Sequence, residues 1–351
     1  MTTIARVAQE AGVGVGTVSR VINGSASVSE ATRRRVLEVV AELGYEPNAT
    51  ARALSTGRTR SVGVIAPFFT RPSVIERLRG VGPLLAASGY QLILIDVESS
   101  RQRDAAFRSL IGRVDGLLAV TIAPAPADLE RLAAAGVPVV LIDHAHDRLP
   151  SVTVDDVAGG RIAVEHLLEL GHRRIAFAGD TVDEVHRSSA SRRRCTGYHR
   201  ALAAAGLPVR EELVVLRPHG HCAGEIVEEL LALDEPPTAI FAASDQQAIA
   251  VLDAVGELGL RVPEDLSVVG FDDVELARYA GLTTVAQPLA ISGTTGAELL
   301  LESLDGSEIP TPRQHLPLEL VVRSTTAPPG SGPGPMKADG TERRRGTARM
   351  A

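Results

Sequence analysis

Three groups of residues in this chain could do recognition or chemistry. Ala8, Gly12 and Val18 stand at the small, turn and core positions of a helix-turn-helix: glycine permits the sharp turn, alanine lets two helices approach, and valine packs beneath the second. Thr17, Ser19, Arg20 and Asn23 are then left on the outer side, where one guanidinium can bind guanine O6 and N7 in a major groove. A small helical docking module, with Arg20 in a surface ion pair, fits the same spacing. In the second group, polar residues follow apolar runs: Asp143 after Val139–Ile142, Ser244-Asp245 after Ile240–Ala243, and Asp272-Asp273 after Val268–Phe271. At strand ends such carboxylates accept hydroxyl hydrogen bonds from a polyhydroxylated ligand, or cap the next helix. Of Asp272-Asp273, one is expected to tie the turn and the other to face ligand. The third group is Arg192-Arg193-Arg194, in which Arg194 is a candidate ligand fork and the rest read mostly as solvated surface.

Other constellations fail on context. Gly12-x-Gly14-x-Gly16 follows a helix instead of a strand and has no partner acid after a second strand, so it is not a dinucleotide loop. His219-Gly-His221-Cys222 has no second ligand cluster to complete a zinc site. GxSxG, HExxH and Walker patterns are missing, so no catalytic residue, metal or cofactor is expected. Cys195 and Cys222 are too few for a disulfide framework and fit a reducing compartment.

The elements that must position these groups follow from patterning. From Thr3 to Gly44 the apolar spacing predicts three short helices: an Ile4, Val7, Ala8 stripe, a helix through Thr17–Ile22 stopped at Asn23-Gly24, and a third capped by Ser29 and buried on Val36, Val40 and Leu43. Residues 47–60 hold good helix formers with almost no apolar face, as a linker or conditional helix would. From Ser61 strands alternate with helices in two series. Val62–Ala66, Leu92–Val97, Gly116–Val120, Val139–Asp143 and Val152–Val154 form one; Ile175–Ala178, Leu213–Leu216, Ala239–Ala242 and Ser267–Gly270 form the other. Two doubly wound α/β lobes follow, with ligand in the crevice at the strand ends. Residues 324–351, rich in Pro, Gly, Thr and Arg, are expected to be a disordered tail.

Charge supports the division. The net charge is −7, yet the first 60 residues carry eight Arg against five Glu, a net of +3, which leaves −10 for the remainder. A basic head on an acidic body suggests different partners for each. With 351 residues and 44% apolar content the chain can bury full-sized cores, while no apolar run approaches a membrane span or a secretion signal. A cytoplasmic location is therefore expected.

Val7-Ala-x-x-Ala-Gly-Val13, Thr17–Asn23, Val28-Ser-x-x-Thr-Arg33 and Leu43-Gly-Tyr-x-Pro-Asn48 closely resemble the head of the LacI/GalR transcriptional regulators. Val114–Leu117, His166–His172, Gly259–Asp272 and Thr283–Pro288 resemble that family's sensor. The resemblance implies a small all-α helix-turn-helix head (1–46), a hinge helix (47–60), and a two-lobed periplasmic-binding-protein-like α/β body with doubly wound parallel sheets (61–323). It implies a homodimer on a near-palindromic double-stranded DNA operator, a small, sugar-like effector and no membrane partner. The expected function is repression of carbohydrate-utilisation genes with release by effector. Alternatives are a cytoplasmic sugar receptor without a DNA role, or a corepressor-activated regulator of purine or central metabolism.

The same resemblance assigns Thr3, Thr17, Ser19, Asn23, Tyr45 and Asn48 to phosphate contacts, Val15, Gly16 and Arg20 to base reading, and Leu54 to a minor-groove wedge. Because Val15 offers only apolar contact and Gly16 none, Arg20 should carry much of the direct readout. For the effector it points to Asp143, Arg194, His219, Ser244 and Asp272, with Phe69, Val74 and Gln287 nearby. With Val at 74, His at 219 and no Trp, stacking on a sugar would fall to Phe68 or Phe69. Arg6 stands where relatives commonly have an acid, leaving the first helix without its usual dipole partner.

Overall fold

The structure is a computed structural model that describes residues 2–22, 27–45, 57–181, 190–218, 223–307 and 313–330. Asn23, Asn48, Leu54 and His219 lie outside the described residues. The chain divides into two units, Met1–Ser61 with Gly112–Asp115, and the remainder.

The first unit opens with α1 (Ile4–Glu10), α2 (Val15–Ile22) and α3 (Glu30–Glu42). Thr3 Oγ1 and Ser29 Oγ accept from the backbone N–H groups of Arg6 and Thr32, capping α1 and α3. The first turn of α1 contains no acid, so the cap alone serves its positive end. Gly12 turns the chain between α1 and α2 at φ 62°, where a side chain would be strained. Gly44, at φ 55°, closes α3 through Tyr45 N–H to Val40 O and Gly44 N–H to Ala41 O. Val7, Ala8, Ala11, Val18, Val21 and Val36 form the core. In the expected hinge, residues 57–60 form no helix and the segment before them lies outside the described residues. Asp115 accepts from Thr59 N, Thr59 Oγ1 and Arg60 N at 2.6, 2.8 and 2.9 Å, fixing the entry to the first strand.

In the second unit the strands are β1 (Ser61–Ala66), β2 (Gln91–Asp96), β3 (Gly116–Val120), β4 (Val139–Ile142), β5 (Ser151–Thr153), β6 (Ile175–Asp180), β7 (Val214–Arg217), β8 (Ala239–Ala242), β9 (Ser267–Asp272), β10 (Thr283–Ala286), β11 (Arg313–His315) and β12 (Glu319–Val321). They make two six-stranded sheets, ordered β2-β1-β3-β4-β5-β11 and β7-β6-β8-β9-β10-β12. β12 runs antiparallel to β10, whereas β1, β3, β4, β5 and β11 pair in parallel. Both orders reverse direction beside the first strand of the lobe, the position where a doubly wound sheet opens a crevice at its strand ends. Strands β1, β3, β4, β8 and β9 are buried along their whole length, which is why they read as continuous apolar runs.

The helices are α4 (Pro72–Ala87), α5 (Ser100–Leu110), α6 (Pro126–Ala134), α7 (Asp156–Glu169), α8 (Ala190–Ala204), α9 (Ala223–Leu231), α10 (Asp245–Glu257), α11 (Glu275–Tyr279) and α12 (Leu289–Leu304). Each lobe contains one helix pair in backbone-close contact. A Cβ on Gly80 or Gly293 would lie 2.0 Å from a carbonyl oxygen across the α4–α12 pair; one on Gly160 or Gly197 would lie 2.2 Å from a carbonyl oxygen across α7–α8.

The lobes are not consecutive halves. The chain passes to the second sheet after β5, returns after β10 through α12, which packs on α4, β3 and β4, and crosses again between β11 and β12. β10, β11 and β12 were not among the expected strands; the last two are three residues each and carry little alternation. A further correction concerns the tail. Residues 324–330 are held on the second lobe: Thr325 is buried, its O and Oγ1 bond Val268 N and O at 2.8 and 2.7 Å, and Ala327 O meets His172 Nε2 at 2.9 Å. Such order comes from hydroxyl and carbonyl pairing, which leaves no periodic apolar signature.

Candidate DNA-reading face and effector cleft

In the first unit α2 presents its outer face. Val15 is 45% exposed, and Gly16 and Arg20 are exposed, while Thr17 and Ser19 are half-buried. Val18 and Val21 point inward, so the valine spacing holds the polar side out. Arg20 Nε donates to Gly16 O at 3.1 Å, one turn back, which steadies the stem and leaves the Nη end outermost. Tyr45 packs part-buried against the head core, and Thr3 is the exposed cap of α1.

In the second unit four of the residues expected at the effector site meet in one set of hydrogen bonds and ion pairs. Arg77 Nη2 donates to Asp143 Oδ2 at 3.1 Å and approaches Gln287 Oε1 at 3.5 Å. Gln287 Nε2 donates to Asp272 Oδ1 at 2.6 Å, and Arg194 Nη1 stands 3.6 Å from that same oxygen. Arg77 and Asp143 belong to the first lobe and Arg194 and Asp272 to the second, while Gln287 sits in the crossover, so the chain of groups spans both. Arg77, Asp143, Thr153, Gln287 and Ser292 line a small cleft there.

Local backbone geometry aims these carboxylates. Asp143 follows β4 at φ 62°, and Asp272 and Asp273 end β9 at φ 125° and 55°. Non-glycine residues take such angles at a cost of order 1–3 kcal/mol, and such outliers gather at functional sites. Asp273 ties the turn through Arg323 at 2.6 Å, while Asp272 joins the set through Gln287 and Arg194. Arg194 is engaged by the protein: Nε donates to Asp156 at 2.9 Å, Nη1 to Ala243 O at 2.6 Å, and its Cζ lies 3.7 Å over the Phe271 ring. Burial opposes its charge, but Asp156, Asp272 and Asp143 more than offset this and raise its pKa. Burial pushes the Asp272 carboxyl up, against the opposing pull of Arg194, Arg77 and Gln287. Asp245, beneath it, is pushed up to about 7 by burial and by Asp272, and spends its oxygens on Thr284 Oγ1 and Val274 N.

The other expected residues fall elsewhere. Ser244 Oγ accepts from Gln247 N at 3.3 Å and caps α10, the alternative role for a polar residue at a strand end. Val74 is buried in the first-lobe core and absent from the cleft lining, because its position on α4 turns it toward β1 and β3. Phe69 is 38% exposed on the loop after β1, its N–H bonded to Asp96 at 3.2 Å, and Phe68 carries Arg71 over its ring. Arg193 is not free surface: it shares Asp156 with Arg194 at 2.6 Å. Arg77 and Asp156 were missed. Arg77 lies on α4 in the stripe of the buried Val74, Val81 and Leu85, where a charge reads as an interruption of the apolar face, and its burial is set by α12 across the groove; Asp156 reads as an ordinary first-turn acid.

Among the described residues no group of His, Cys, Asp and Glu is arranged to hold a metal, and no helix is long and apolar enough to cross a membrane.

Residues 3–48 match the model of bacterial regulatory proteins, lacI family, and residues 164–326 that of the periplasmic binding protein-like domain. Catabolite control protein A of Priestia megaterium is 35% identical over 331 residues, 92% of this chain and 99% of the relative. Among solved structures, a transcriptional regulator CelR–cellobiose complex is 36% identical with a TM-score of 0.67, covering 93% of this chain and 100% of that one. The lac repressor dimer bound to operator and the anti-inducer ONPF is 30% identical with a TM-score of 0.78, covering 93% and 99%. The head matches the family's model and the similarity runs over nearly the full length of both chains, so the chain belongs to the lacI family of DNA-binding transcriptional regulators.

Proposed function

We propose that this protein is a cytoplasmic homodimeric repressor of carbohydrate-utilisation genes, released from a near-palindromic operator when a small sugar-like effector binds between the lobes. The observation that carries the reading is the Arg77–Asp143, Gln287–Asp272–Arg194 set, which spans both lobes and offers carboxylate and guanidinium groups to a polyol. A ligand that engages both walls favours one lobe arrangement over another, and only such differential binding shifts a conformational equilibrium. The cellobiose bound by one relative and the operator bound by another support the two halves of the reading.

On the DNA side Arg20 reads bases with Val15 and Gly16, and Thr3, Thr17, Ser19, Asn23, Tyr45 and Asn48 hold phosphates. Leu54 wedges between base pairs at the operator centre, at a cost of a few kcal/mol per unstacked step. Asp143, Arg194, Asp272 and Gln287 hold effector, with His219 as a further contact. The test is operator affinity by gel shift, on fragments upstream of the chain's own gene, with and without mono- and oligosaccharides. Release by about 5–150-fold is the usual scale of such coupling. Tighter operator binding with sugar would overturn the assigned sign, and absence of any preferred fragment would overturn the reading.

A further inference from the structure

Arg77 and Arg194 face the same set of groups, but Arg77 is left incomplete. It is 3% exposed, its Nη1 donates to Ser73 O, and its Nη2 meets Asp143 and Gln287. Its Nε is buried and finds no acceptor among the described residues. Nε and Nη2 form the side-on edge of a guanidinium, the edge that grips a carboxylate with two parallel N–H···O bonds. Half of that edge is unused, and a buried donor without an acceptor costs about 1–3 kcal/mol.

The carboxylates around it are already engaged. Asp143 accepts from Arg77, Asp156 from Arg193 and Arg194, and Asp272 from Gln287. Asp272 and its neighbour Asp245 are held toward their neutral forms by burial and mutual repulsion. Arg77 thus keeps a buried, charge-assisted donor to spare beside carboxylates that still have open lone pairs, so the site suits a fully negative acceptor as well as hydroxyls. We propose that the effector is a polyol bearing an anionic group, with Arg77 as the fork for its anion and Asp143 and Asp272 receiving its hydroxyls. This rests on the reading that the interlobe cleft is the effector site.

The test is calorimetric titration of the full chain, at matched ionic strength, with glucose, cellobiose, gluconate, glucuronate and glucose 6-phosphate, alongside operator release. The expected result is that at least one anionic sugar binds about 10-fold or more tightly than its neutral counterpart. In Arg77→Met the preference for the anionic over the neutral sugar should vanish, and Arg77→Lys should restore part of it. Preference for the acid over the phosphate, or the converse, identifies the anion. Neutral sugars binding as tightly as anionic ones would overturn the proposal and leave the cleft reading intact. No response to any sugar would sink both. Equal loss for both classes in Arg77→Met, with an unchanged circular dichroism spectrum, would make Arg77 a positioning residue and also overturn it.

Discussion

The two walls of the cleft are built from the same strand order, yet they are finished differently. On the second-lobe wall Arg194 lies on the Phe271 ring, pairs with Asp156 and reaches a backbone carbonyl, so its charge is matched before any ligand arrives. On the first-lobe wall Arg77 has one ion pair, one carbonyl and an unmatched Nε. The comparison teaches that one wall is preorganised as a scaffold while the other is left for a ligand to complete.

The largest expected effect is on the saturated wall. Asp156→Ala strands two guanidiniums, one of them buried, and should cost about 3–5 kcal/mol, read as a fall in urea midpoint with an unchanged slope. Asp143→Ala, on the unfinished wall, should cost clearly less; equal losses would erase the distinction between the walls. Gly160→Ala and Gly293→Ala come next. Each places a methyl inside a carbonyl's radius, one in each lobe, and should cost at least about 1–3 kcal/mol by forcing a helix pair apart. Similar values would mean that the lobes are equally close-packed and that only their cleft residues differ.

A smaller effect separates the walls by pH. The folded-state pKa of Asp245 lies at about 7, above the ordinary carboxylate value of 3.8, so the folded protein holds a proton there that the unfolded chain releases. Its contribution is full below about pH 4 and is lost as pH rises to about 7. The half-buried His166 and the buried His172, both lowered chiefly by desolvation, act in the opposite sense, so a difference between variants is needed. Melting curves of wild type minus Asp245→Asn should slope downward from pH 5 to pH 7.5; a flat difference would place no such proton in the second lobe. The smallest effect is Ser244→Ala, which removes the cap on α10 and should cost about 1 kcal/mol without altering Asp272, and a larger loss of sugar affinity than of stability would give Ser244 a ligand role as well.

The head was legible almost to the residue. Ser29, Gly12 and Gly44 act through local backbone rules, and Val7, Val18 and Val36 lie on three consecutive short helices, so nearby spacing determines the fold of that unit. Most strands of the body were equally plain, because a strand buried on both faces must be apolar throughout. The acids at their ends could be named for the same reason: a polar residue closing an apolar run sits at a strand terminus whatever the lobe.

What the chain's order could not convey was which ends face each other. Arg77 and Gln287 are 210 residues apart and meet because α12 returns to the first lobe and packs on α4 with glycines at the contact. Ser324–Ala327, without any periodicity, is ordered by hydroxyls that find Val268 and Thr283. Local propensity and periodicity are properties of neighbouring residues, and the sequence carries them openly. The state of a buried charge depends on what long-range crossovers bring within about 4 Å of it, and that only the tertiary structure decided.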